Sequence, residues 1–95
     1  MQRDQAPSIL SSHKIDLEQR YRLQKVGIFG SVARNSAKDD SDIDIVVEME
    51  PNILLKVQLK EELEQLLGSK VDLIRYWKRM NPYLKTRIDR DAHYV

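Results

Sequence analysis

The chain has 95 residues, 16 Lys and Arg against 15 Asp and Glu, a formal net charge of +1 and no cysteine. That length implies a single domain, 1–95, with a thin core. The missing thiols exclude disulfides and thiolate metal sites, and no apolar run approaches the roughly 20 residues of a bilayer-spanning helix.

The N-terminal MQRDQAPSIL lacks the apolar centre of a secretory signal, so a cytoplasmic protein is expected. From about Ser8 to Arg22 a weak helical pattern lets Leu10, Leu17 and Tyr21 share a face. KVGIF, residues 25–29, is a short apolar run ending at Gly30 and reads as a strand. Residues 31–41 are small and polar, a turn with room for one helical turn at Ser31 to Arg34. IDIVVEM, residues 43–49, reads as a second strand closed by Pro51. ILLKVQLKEELEQLL, residues 53–67, is the clearest helix, with Leu55, Leu59, Leu63 and Leu66 at core-facing spacing and Gly68 at the C′ position. KVDLI, residues 70–74, is a third strand, and Asn81-Pro82 caps and opens a last helix to about Asp91. The fold class expected is α/β (α+β), a small mixed sheet flanked by helices.

Charge is segregated along this order. Asp39 to Glu50 holds six acids and no base, whereas Lys70 to Arg90 holds seven bases against Asp72 and Asp89. Such zones suit a cation-holding site beside an anion-attracting surface, or are simply solvated faces. In the last basic stretch Trp77 and Tyr83 offer a docking or nucleotide-contact surface, or else they are core aromatics of a solvated helix.

Asp42 and Asp44 are the anomaly, two acids set into an apolar strand that disfavours them. Side chains alternate along a strand, so both point to one face while Ile43 and Ile45 point to the other. Their mutual repulsion is relieved by a divalent cation, and Mg²⁺ takes carboxylate, water and phosphate oxygens. Asp72, between Val71 and Leu73, adds a third carboxylate if its strand lies beside the second, enough for one or two metals. Gly30 and Ser31 follow a strand directly, where backbone N–H groups and a hydroxyl can hold phosphate, and Arg34 can add a guanidinium fork. Taken singly, each has an ordinary reading: a plain turn, a surface arginine, acids on an exposed edge strand, or Asp72 paired with Lys70 or Arg75.

Together, Gly30-Ser31-Val32-Ala33-Arg34, Ser41-Asp42-Ile43-Asp44-Ile45 and Val71-Asp72-Leu73 resemble the DNA polymerase β-like nucleotidyltransferase superfamily. The wording and short length are similar to its smallest members, the minimal nucleotidyltransferases (MNT). Asn35 stands where the family often has glycine, and asparagine tolerates the left-handed conformation.

The resemblance implies transfer of AMP from ATP to an acceptor hydroxyl, with release of pyrophosphate. In that scheme Asp42, Asp44 and Asp72 are catalytic and bind two Mg²⁺ ions, and Gly30, Ser31 and Arg34 bind the nucleotide. It also implies a partner: minimal members pair with a HEPN toxin, adenylylating its tyrosine as the antitoxin of a toxin–antitoxin pair in a heteromeric complex. Two alternatives stand beside this, an antitoxin that neutralises by stoichiometric occlusion and a transferase acting on a small molecule such as an antibiotic. Membrane association and direct nucleic-acid binding are not expected, since net charge is near zero and bare acids repel phosphate.

Overall fold

A computed structural model describes residues 5–30 and 42–95. In chain order it contains α1 (Ala6–Tyr21), β1 (Lys25–Phe29), β2 (Ile43–Glu48), α2 (Ile53–Leu67), β3 (Val71–Arg75), α3 (Pro82–Asp91) and β4 (His93–Tyr94). The strands form one sheet in the order β3-β2-β1-β4. β1 is antiparallel to both β2 and β4, and β2 is parallel to β3. The sheet is therefore mixed, as expected.

A parallel pair cannot be joined by a tight turn and needs a crossover; α2 supplies it between β2 and β3. Its start is fixed by Asn52, whose side chain accepts from the Leu55 amide at 3.0 Å, and its end by Gly68 at φ 65°. The fully buried stripe of α2 is Leu59, Leu63 and Leu67, with Leu55 and Leu66 only partly buried beside it. The helix is thus rolled slightly from the expected face, and Glu64 near its end accepts from the Val71 amide at the start of β3 at 3.0 Å.

The two sheet faces are covered unequally. One face sends Val26, Ile28, Ile43, Ile45, Val47, Val71 and Leu73 into the main core with α1 and α2. Each such residue taken fully from water contributes about 1.5–3 kcal/mol before entropy is counted, so this layer carries the fold. The other face holds a smaller cluster, Phe29, Val46, Met80 and Ile88, lying under α3. Asn81 caps α3 by accepting from the Tyr83 and Leu84 amides at 2.9 and 3.1 Å. The Tyr76 hydroxyl donates to Asp89 Oδ1 at 2.8 Å and ties α3 to the chain leaving β3.

α1 begins two residues earlier than its apolar pattern suggests, since Ala6 is buried and Pro7 is tolerated in a first turn. β4 carries no strand pattern in the sequence. It is two exposed residues long, and it pairs at Gly27, where a β-carbon would meet His93 O and Tyr94 Cδ1 at 2.9 Å each. A glycine inside a strand often marks such a close approach.

Candidate active site

The expected alignment of β2 with β3 holds, and its register decides the site. Asp44 is the direct partner of Asp72, with Ile43 abreast of Val71 before it and Ile45 abreast of Leu73 after it. Because Ile43, Ile45, Val71 and Leu73 enter the main core, the two aspartates project from the opposite face. The next residues on that face are Val46 and Ile74, also partners, and both belong to the smaller apolar cluster. Two carboxylates thus stand side by side where an apolar surface begins.

That placement costs energy. Parallel strands lie about 4.8 Å apart. Two unit charges kept at that spacing repel by about 0.9 kcal/mol in water. Like charges directly abreast on neighbouring strands disfavour each other.

Asp42 lies just before β2 and is exposed, whereas Asp44 is half-buried within the strand and Asp72 is exposed on β3. Among the described residues, Asp72 forms no ion pair with Lys70 or Arg75. The Arg75 guanidinium instead donates to Met49 O at 3.4 Å and sits 5.4 Å from the Trp77 ring centre. Among the described residues, no group of three or more His, Cys, Asp or Glu side chains is gathered so as to hold a metal ion. The Asp44–Asp72 pair is nevertheless a donor set of the right kind for a hard dication. All its donors are carboxylate oxygens, and Mg²⁺ commonly takes one or two carboxylates and fills its other positions with water and phosphate.

Gly30 is brought to the same place by the antiparallel pairing of β1, whose last residue, Phe29, is the direct partner of Asp44. Gly30 is buried with φ 74°, in the left-handed region, and a β-carbon there would run into Asp44 Oδ2. Its lack of a side chain is required twice, by the backbone conformation and by the carboxylate. Ser31 and Arg34, the other expected nucleotide contacts, lie outside the described residues, as does Asn35.

Phe29 went unnoticed in the sequence as a site residue. It is buried next to Asp44 and forms the apolar floor of the acidic end of the sheet. The signal for it was its position, one residue before the glycine. Trp77 and Tyr83 are not core aromatics, being 43% and 75% exposed. Nor does Trp77 join the acids, since it follows β3 at the end of the strand opposite Asp72.

Residues 13–95 match the polymerase β nucleotidyltransferase domain family. The chain belongs to this family. The nucleotidyltransferase is 45% identical over 94 residues to the protein adenylyltransferase MntA of Thermococcus cleftensis, covering 97% of this chain and 94% of that one. Its fold matches a solved minimal nucleotidyltransferase with a TM-score of 0.76 and 32% identity, over 95% of both chains. It also matches the fold of a complex between the tri-AMPylated HEPN toxin of Shewanella oneidensis and its MNT antitoxin. There the TM-score is 0.66 and the identity 22%, over 92% of this chain and 69% of that one. At that identity the likeness is one of fold. Among the described residues, no helix of the nucleotidyltransferase is long and apolar enough to cross a membrane.

Proposed function

We propose that the nucleotidyltransferase is a protein adenylyltransferase that moves AMP from ATP to a tyrosine hydroxyl of a partner HEPN toxin, and so acts as its antitoxin. The observation that carries this reading is the Asp44–Asp72 pair, abreast on parallel strands and closed on one side by Gly30. Two carboxylates brought abreast in this way suit a cation-dependent task. The high identity to a protein adenylyltransferase of nearly the same length supports the class of acceptor.

In this reading Asp42, Asp44 and Asp72 would hold two Mg²⁺ ions, which would supply charge neutralisation for the phosphates. Gly30, with Ser31 and Arg34, receives the triphosphate, the glycine by letting the backbone approach and the other two by hydrogen bonds. Asp72 orients the tyrosine hydroxyl and draws off its proton. The phenolic oxygen then bonds to the α-phosphorus while the bond from that phosphorus to the bridging oxygen breaks, and pyrophosphate leaves with both electrons. Positioning and charge stabilisation account for most of the rate in such transfers.

The test is intact-mass spectrometry of a candidate HEPN partner protein incubated with this chain, ATP and Mg²⁺. Adducts of one or more adenylyl groups, absent with Asp44→Asn, are expected. A stable complex with no mass change would replace transfer by occlusion.

A further inference from the structure

The end of the sheet opposite the acids carries an apolar surface that the transfer chemistry leaves unused. Ile53, Leu54 and Val57, on the first turns of α2, are 81%, 76% and 49% exposed. Single exposed aliphatics are ordinary, but three together at one helix end are not. Ile53 and Leu54 line a groove of about 500 Å³ with Met49, Pro51, Lys56 and Arg75. Among the described residues, the two charged side chains lining it are both cations. Trp77, stacked with Arg75, adds a half-exposed indole beside it.

We infer that this groove docks the acceptor protein, through an acidic segment of that protein bearing one or two apolar side chains. The inference rests on the proposed function for the identity of the partner, and on charge complementarity for its chemistry. Apolar side chains would enter between Ile53, Leu54 and Met49, and carboxylates would meet Lys56 and Arg75. A second copy of this chain seated on the same groove would bring four cations, Lys56 and Arg75 from each copy, into one interface without an acid from the groove lining to pair them, so the surface is poorly suited to a symmetric dimer. From Asp44 to Met49 the chain advances five residues, about 16 Å along the strand. The acceptor can therefore be held at one end of the sheet while its hydroxyl reaches the acids at the other, and docking does not cover the site.

The test uses the full chain with Ile53→Asp and Leu54→Asp together. Acids in the first turn suit the helix dipole, so the fold should persist, and a thermal melt confirms it. Lys56→Glu provides a second variant that leaves the apolar contacts intact. Calorimetric affinity for the HEPN protein and steady-state transfer are then measured. The double variant should weaken binding and raise the KM for the acceptor at least tenfold, with kcat within about twofold of wild type. Lys56→Glu should weaken binding several-fold. A folded double variant with unchanged affinity and KM would overturn the proposal. So would a change confined to self-association in sedimentation, or to binding of anionic lipid vesicles. If the wild type binds the HEPN protein without modifying it and the double variant does not bind, the docking surface stands and the adenylyltransferase reading fails.

Discussion

Gly30 and Gly68 allow the role of the acidic end of the sheet to be separated from simple stability. Both have left-handed backbones, at φ 74° and 65°. Alanine in that conformation costs about 1–2 kcal/mol at either position, a fall in Tm of several degrees at this chain length. The surroundings differ. A methyl at Gly68 meets nothing within 4 Å, whereas one at Gly30 collides with Asp44 Oδ2 and forces the carboxylate aside. Displacing a reacting group by about 1 Å costs roughly 100-fold in rate, equivalent to about 2.7 kcal/mol of transition-state stabilisation. The expected outcome is that Gly30→Ala loses at least as much stability as Gly68→Ala in thermal melts. Only Gly30→Ala should lose about two orders of magnitude in adenylyl transfer, assayed well below both melting temperatures. Equal activity in the two variants would refute the argument that Gly30 is kept bare to seat Asp44.

Three further outcomes follow from named contacts. Asp72→Asn removes a charge from the repelling pair, so it should raise thermal stability by about 0.2–1 kcal/mol in metal-free buffer while lowering transfer by at least 100-fold; a destabilised variant would contradict the electrostatic account. Asn81→Ala leaves the Tyr83 and Leu84 amides uncapped and should cost about 1 kcal/mol, read by chemical denaturation. Glu62 accepts from the Arg20 guanidinium and from the Tyr21 hydroxyl at 2.7 Å, joining α1 to α2, and the Arg20 hydrogen bond holds its pKa below the usual 4.5. A depressed carboxylate pKa adds stability that is present above 4.5 and is lost as pH falls through the folded-state value. Glu62→Gln should therefore flatten the acid limb of a stability-against-pH curve, modestly because Arg20 is exposed.

The parts of this fold legible in the sequence are those set by local chemistry. β1 ends where KVGIF meets Gly30, and α2 spans 53–67 between the Asn52 cap and Gly68, both as their patterns indicate. β4 was not legible because two exposed residues carry no periodicity; only Gly27 hinted at something lying close across β1. The alternation around Asp42, Asp44 and Asp72 identified them as anomalous, but their alignment is a non-local fact. It depends on a parallel register set by how α2 crosses over the sheet, which spacing along the chain does not determine. The basic stretch from Lys70 to Arg90 was visible as charge, yet its division into Arg75 on Trp77, Lys85 over Tyr76 and an exposed Tyr83 required the packing of α3.

The Asp44–Asp72 pair is proposed to serve transfer of an adenylyl group to a protein hydroxyl. Incubation of the HEPN protein with α-labelled or γ-labelled ATP, in Mg²⁺, tests it most directly. Label should reach the HEPN protein from the α position alone, and Asp44→Asn and Asp72→Asn should abolish the incorporation. Label arriving from the γ position, or incorporation that survives both substitutions, would contradict it.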